Sequence, residues 1–113
     1  MKTILLIALL ALASPAAHAG GNAGAGAEKS KACAACHGAD FNTPISADIP
    51  RLAGQHEDYL ARALADYKAG ERKNPVMDGQ ARDLSAQDIR DLAAYFAGLS
   101  GKLKIIPLHR LVQ

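Results

Sequence analysis

The strongest constraint on this chain is a short stretch in which two cysteines and a histidine stand close together. It reads Cys33-Ala34-Ala35-Cys36-His37. One helical turn between the thiols places both of them where they can add to the two vinyl groups along one edge of a porphyrin. The next residue, His37, can then turn its imidazole under the ring and ligate iron. The spacing therefore predicts covalent attachment of one haem c through Cys33 and Cys36, with His37 as an iron ligand.

The N-terminal residues predict a cleaved export signal. Lys2 precedes an entirely apolar run over residues 4–13, and small residues at Ala17 and Ala19 occupy the two positions that a signal peptidase reads. The run is well short of the ~20 residues that a membrane-spanning helix needs. We therefore expect cleavage after Ala19 and a periplasmic location. The expected organisation is a signal peptide (1–19), a folded domain (20–99) and a basic C-terminal tail (100–113).

Three other uses of a Cys-x-x-Cys pair compete with haem attachment. A thioredoxin-like redox pair needs a β-α-β context, and the sequence contains no convincing strand. A zinc site needs two further ligands, which His56 and His109 are left to supply. A structural disulfide between positions this close would not join distant parts of the chain. Haem attachment is the interpretation that also accounts for His37.

A haem iron in an electron carrier needs a second axial ligand, and Met77 is the predicted one. After removal of the signal it is the only methionine, and it lies between Pro75 and Gly79 in an expected loop between two helices. A soft thioether stabilises ferrous iron and so raises the reduction potential relative to a second histidine. His56 is the alternative ligand, although we interpret it as an exposed residue at a helix start.

The second ring nitrogen of the histidine ligand should donate to a backbone carbonyl, which fixes the orientation of the ring. Pro50 is the first candidate for this carbonyl, and Pro44 is the second. Both prolines lie in the polar stretch that follows His37.

The fold class is predicted to be all-α, with three main helices and long loops wrapped around the haem. The chain is half hydrophobic, which favours a folded domain, and its net charge of +2 is too weak to indicate nucleic acid as a partner. Residues 20–26 are expected to form a loose lead-in, and 38–56 and 70–84 long loops. The expected helices span about 27–36, 57–69 and 85–98.

Residues typical of helix ends support two of these helices. In the second, apolar residues follow helical spacing and Gly70 provides a C-terminal stop. In the third, Ser85 and Asp88 approximate a capping box, and Gly98 closes the helix. The apolar stripe of the third helix consists of Ile89, Leu92, Ala93 and Phe96.

With these motifs in order, the chain resembles a class I c-type cytochrome, and more narrowly the mono-haem carriers of the bacterial cytochrome c553/c4 type. The resemblance covers roughly residues 26–99. The matching stretches are Cys-Ala-Ala-Cys-His-Gly at 33–38, Pro-Arg-Leu-Ala-Gly-Gln at 50–55, Tyr59-Leu60, Lys-Ala-Gly-Glu-Arg at 68–72, Asn-Pro-Val-Met at 74–77, Leu84-Ser85 and Ala-Ala-Tyr-Phe at 93–96.

The resemblance implies a small helical fold in which the first and last helices cross and the haem lies between them and the loops. It implies that Gly26 permits close contact with the last helix near Tyr95. It makes the Pro50 carbonyl the partner of His37, and Met77 the sixth ligand. It also places Arg51, Gln55 and Tyr59 near the haem propionates.

The implied function is one-electron transfer between respiratory redox partners, without enzymatic activity. The alternative is a haem-bearing subunit of a specific periplasmic oxidoreductase complex. A haem-based gas sensor and a thiol oxidoreductase are further rivals. The family domain usually ends near Leu99, whereas this chain continues with a tail that carries Lys102, Lys104 and Arg110 and no acidic residue. The tail is either a flexible extension or a docking segment for an acidic partner or membrane surface.

Overall fold

A computed structural model describes residues 20–103 of the chain. The predicted signal peptide and residues 104–113 of the tail lie outside these residues. The described part is helical and contains no strand, which confirms the all-α fold class. The elements in chain order are α1 (Ala23–Lys29), a 3₁₀ turn (Ser30–Ala32), α2 (Ala34–His37), α3 (Glu57–Ala69), α4 (Pro75–Ala81) and α5 (Ala86–Gly98).

The first predicted helix, about 27–36, begins earlier than expected and is divided into two helices. It begins at Ala23 because the Asn22 side chain accepts a hydrogen bond from the Ala25 N–H at 3.0 Å and caps the helix. The expectation of a loose lead-in as far as residue 26 was therefore wrong. A 3₁₀ turn then separates α1 from α2, and Gly38 ends α2 as predicted, with φ 89°.

Helices α1 and α5 cross at Gly26, as the family resemblance implies. A Cβ atom at Gly26 would lie 2.0 Å from the Asp91 carbonyl oxygen and 2.8 Å from the Tyr95 Cβ. No side chain fits in that space, so the two backbones meet directly.

A buried carboxylate secures the same crossing. Asp91 is 3% exposed. It accepts hydrogen bonds from the Asn22 N–H at 2.8 Å, from Gln87 Nε2 at 2.7 Å and from Lys29 Nζ at 3.0 Å. These contacts, the hydrogen bond from the Asn22 N–H above all, hold the pKa of the Asp91 carboxyl down at about 2.

The core is small and lies between α5, α3 and the loop before α3. Three aromatic rings pack edge to face or tilted within it: Phe41 and Phe96 have centroids 4.8 Å apart, and Tyr95 lies 6.0 Å from Phe41. The predicted stripe on α5 is confirmed as buried. The core cluster consists of Phe41, Ala53, Leu60, Leu92, Ala93 and Phe96.

The predicted ends of the two longer helices are confirmed. Gly70 adopts the left-handed conformation, with φ 75°, at the C-terminus of α3. Ser85 and Asp88 form a reciprocal capping box at the start of α5. The stretch 70–84, expected as a loop, contains α4 because Asn74 caps it and Pro75 occupies its first turn.

Candidate functional site

The Cys-x-x-Cys-His stretch forms one turn at the edge of the core. The Cys33 carbonyl accepts hydrogen bonds from the N–H groups of Cys36 at 3.3 Å and His37 at 3.0 Å, which closes the turn. Both thiols are free and half-buried, and Cys33 packs against the core cluster. Burial raises the pKa of the Cys33 thiol, and the neighbouring Cys36 adds to this effect.

The imidazole of His37 is held by a single backbone contact. The ring is 6% exposed, and its Nδ1 lies 2.8 Å from the Pro50 carbonyl oxygen. Because a carbonyl can only accept, Nδ1 is the donor in this hydrogen bond. This is the contact that the resemblance implies, and it leaves Nε2 as the ring nitrogen that could bind an iron atom.

The loop from residue 40 to 55 brings Pro50 to this position. The Phe41 carbonyl accepts from the N–H groups of Leu52 at 2.9 Å and Ala53 at 3.1 Å, so the loop folds back on itself. The Ile45 N–H donates to the Cys36 carbonyl at 3.1 Å and ties the loop to the cysteine turn. Phe41 adopts φ 55°, an uncommon value for a residue with a side chain, and its ring is buried in the core.

Two of the three expected propionate residues share a cavity with Pro50. The cavity has a volume of about 360 Å³, and Arg51 and Gln55 line it together with Pro44, Ala47, Ile49, Pro50 and Leu103. Arg51 is held by a hydrogen bond from its Nε to the Asn42 carbonyl at 2.7 Å. Gln55 Oε1 accepts from the His56 N–H at 2.9 Å.

Tyr59 has a different set of neighbours. It is 49% exposed and lies outside the lining of that cavity. Arg72 donates from Nη1 to the Tyr59 hydroxyl at 3.4 Å and from Nε to the Tyr67 hydroxyl at 2.9 Å. The guanidinium also stacks on the Tyr67 ring, 5.1 Å from its centroid. The structure thus joins Tyr59 to Arg72 at the surface of α3.

Met77 lies on α4 and not in a loop, which corrects the sequence-based expectation. The Asn74 side chain accepts from the N–H groups of Val76 and Met77, both at 3.1 Å. Lys68 of α3 donates to the carbonyls of Arg82 at 2.9 Å and Leu84 at 2.6 Å, just after α4. The half-buried Met77 is therefore carried by a short helix that is anchored at both ends.

His56, the alternative ligand, is an exposed residue at the N-terminus of α3. Within residues 20–103, no group of three or more His, Cys, Asp and Glu side chains is placed to hold a metal ion. His109 lies outside the described residues.

Sequence reasoning missed three residues that position the site. Asn74 could have been found, because Asn followed by Pro is a common helix start. Asn42 and Lys68 act through partners far along the chain, and no local pattern indicates them.

The donor set fits a covalently attached haem. Two free thiols lie one turn apart at the border of an apolar cluster, and the imidazole that follows presents a free Nε2. A thioether sulfur is available on α4. Thiol addition to vinyl groups and nitrogen and sulfur ligation of iron are the reactions that these groups can supply.

Comparison with known proteins agrees with this chemistry. The family model for cytochrome c matches residues 22–100. Cytochrome c4 of Pseudomonas aeruginosa is 47% identical over 98 residues, covering 86% of this chain and 48% of its own length. A thiosulfate dehydrogenase electron acceptor of Thiomonas intermedia is 38% identical over 111 residues, covering 96% of this chain and 49% of its own.

The solved structures include a close match to the described domain. Reduced recombinant cytochrome c4 from Pseudomonas stutzeri superimposes with a TM-score of 0.68 and 42% identity, covering 74% of this chain and 48% of that one. The chain spans about half the length of the curated relatives it matches. These matches confirm the resemblance drawn from the motifs. The chain belongs to the cytochrome c family, and Cys33 and Cys36 attach one covalently bound haem c.

Proposed function

We propose that this chain is a periplasmic one-electron carrier in which His37 and Met77 are the axial ligands of low-spin iron. The hydrogen bond between His37 Nδ1 and the Pro50 carbonyl, at 2.8 Å, is the observation that carries the proposal. It leaves Nε2 as the only ring nitrogen able to bind iron. The bound haem supplies a one-electron ferric/ferrous couple.

The role of the chain is to keep the same two ligand side chains, His37 and Met77, in place in both oxidation states. Pro50 fixes the orientation and basicity of His37, and the anchored helix α4 presents the Met77 sulfur. A thioether favours the ferrous form and raises the potential. If His37 and Met77 both bound the iron, side chains of this chain would hold the positions that a substrate would need, in keeping with a carrier and not an enzyme. Arg51 and Gln55, which share the cavity with Pro50, are the proposed propionate partners. The third propionate residue that the resemblance implies, Tyr59, contacts Arg72 instead, and its role stays a prediction.

A second candidate function is a haem-bearing subunit of a particular oxidoreductase complex. The similarity to a thiosulfate dehydrogenase electron acceptor, which extends over 96% of this chain, is compatible with this candidate. Both candidates require redox partner proteins. A larger chain that co-purifies with stoichiometric haem, and that reduces or oxidises this domain directly, would identify the subunit role.

The proposed location follows from the predicted export signal, and attachment of haem c fits it. Within residues 20–103, no helix is both long and apolar enough to cross a membrane. The basic tail is the proposed contact for an acidic partner or membrane surface. Truncation after Leu103 should then lower the rate of electron transfer with the partner and weaken its salt dependence. Unchanged rates would remove the docking role.

The axial ligands are tested by a visible spectrum and a redox titration of the purified holoprotein. We expect a low-spin spectrum with the weak far-red band of methionine-to-iron charge transfer. Met77→Ala should abolish this band, lower the potential and open the iron to carbon monoxide. His56→Ala is the matched control and should change neither spectrum nor potential. A high-spin wild-type protein, or one that binds carbon monoxide readily, would overturn His/Met ligation and favour the gas-binding rival. Free titratable thiols without a Soret band would favour the thiol oxidoreductase.

A further inference from the structure

Residues 100–103, which follow the C-cap residue Leu99 of α5, continue the folded domain beyond the end expected from the family resemblance. We call residues 100–103 the C-terminal strap. Asn42, which is 8% exposed, holds the strap with its side-chain amide. Its Nδ2 donates to the Ser100 carbonyl at 3.0 Å, and its Oδ1 accepts from the Lys102 N–H at 2.9 Å. Both hydrogen-bonding groups of one nearly buried amide are therefore used on the strap.

The strap is also pressed against the loop before α3. A Cβ atom at Gly101 would lie 2.1 Å from the Ala53 carbonyl oxygen and 2.8 Å from the Gly54 Cα. Gly54 itself adopts φ 73°, where a side chain is disfavoured, and it too faces Gly101. Two glycines thus allow backbone to lie directly on backbone, which fixes the path of the strap.

The strap places one apolar side chain, Leu103, at the cavity beside Pro50. Leu103 lines the cavity together with Pro50, whose carbonyl accepts from His37, and with Arg51. The Asn42 carbonyl accepts from Arg51 Nε at 2.7 Å, so one residue holds both the strap and a polar wall of the cavity.

We propose that Leu103 is a shielding residue that excludes water from the haem edge beside Pro50 and so raises the reduction potential. The proposal rests on the haem carrier function given above. Ferric haem carries one more positive charge than ferrous haem, and removal of water disfavours the more charged form. Solvent exposure is one of the properties through which a protein sets the potential of its metal site.

The test is an equilibrium redox titration of the full-length holoprotein with three single substitutions. Leu103→Ser should lower the midpoint potential, whereas Leu103→Ile, which keeps an apolar side chain, should retain it. Lys102→Gln removes a charge from the adjacent exposed position and should shift the potential less than Leu103→Ser does. A Leu103→Ser potential equal to that of the unsubstituted protein overturns the proposal. So does a Lys102→Gln shift as large as that of Leu103→Ser, since charge and not shielding would then be the cause.

A fourth substitution tests the path of the strap without changing Leu103. Gly101→Val places a side chain against the Ala53 carbonyl and should displace the strap. The midpoint potential of the Gly101→Val protein should therefore be lowered, as in Leu103→Ser. An unchanged potential in Gly101→Val, with the Lys102 amide exposed to hydrogen exchange, overturns the role of the strap. Failure of the carrier function itself would look different, because the unsubstituted protein would lack the low-spin haem spectrum.

Discussion

The side-chain oxygen of Asn74 accepts a hydrogen bond from the backbone N–H of Met77 at 3.1 Å. The same oxygen accepts from Val76, also at 3.1 Å, so this asparagine organises the first turn of α4. The position of the proposed sulfur ligand thus depends on a helix cap.

Asn74→Ala should loosen the hold on Met77 without preventing haem attachment. Loss of an N-cap costs about 1 kcal/mol of stability. We expect a weaker far-red methionine band and faster carbon monoxide binding by the ferrous protein, measured by absorbance. Asn22→Ala is the matched control, because Asn22 caps α1 in the same way. It should lose comparable stability and keep the band; equal loss of the band in both variants would contradict the specific role of Asn74.

Lys68 secures the other end of α4, and its removal should act on the same ligand. Lys68→Met deletes the hydrogen bonds to the carbonyls of Arg82 and Leu84. We expect the methionine band to disappear at lower urea concentration than in the unsubstituted protein. Lys31→Met, which removes an exposed lysine paired with Glu28, is the control and should leave that midpoint unchanged. Coincident urea midpoints for Lys68→Met and the unsubstituted protein would count against the anchor.

The Asp91 carboxylate should make the domain sensitive to acid in a defined range. Its folded-state pKa of about 2 lies below the ordinary value of about 3.9 for an unfolded chain. The stabilisation that it provides is therefore complete above the unfolded value and is lost as the pH falls towards about 2. Asp91→Asn should be less stable than the unsubstituted protein at neutral pH.

Urea unfolding at a series of pH values measures this effect. The difference between Asp91→Asn and the unsubstituted protein should shrink as the pH is lowered through that range. If the difference in unfolding free energy is the same at every pH, the shape of the Asp91 side chain, and not its charge, explains the lower stability of Asp91→Asn.

Gly26→Ala should destabilise the crossing of α1 and α5. The added Cβ would lie 2.0 Å from the Asp91 carbonyl oxygen, and overpacking of this kind costs about 1–3 kcal/mol. Gly98→Ala is the control on α5, since nothing lies within 4 Å of its added Cβ. Thermal unfolding should show a lower Tm for the first variant and no decrease for the second. Similar Tm values for the two variants would show that the helices separate at little cost.

Features with local causes were the ones that sequence reasoning placed well. Gly70 ends α3 and Ser85 begins α5 because each acts within a few residues of itself. The start of α1 and the helix carrying Met77 were missed, although both begin with a capping asparagine. The glycine-rich composition of residues 20–26 favoured a loop at the start of α1, and Pro75 favoured a loop around Met77.

The other features that were not predicted are contacts between residues far apart in the chain. Asn42 joins the strap across 58 and 60 positions, and Asp91 joins Asn22 across 69. A one-dimensional pattern does not show which polar side chains will be buried together. The haem-attachment site at Cys33 and Cys36 could be predicted from the sequence, because the attachment chemistry requires two cysteines that are close together in the chain.

The hydrogen bond between Asn22 and Asp91 also couples the stability of the first helix to that of the last. A helix of seven residues is marginal in water by itself, so α1 depends on its contact with α5. Cys33 and Cys36 follow α1 closely in the chain and share this dependence. Loss of the crossing should therefore loosen the two ends of the domain and the cysteine turn together.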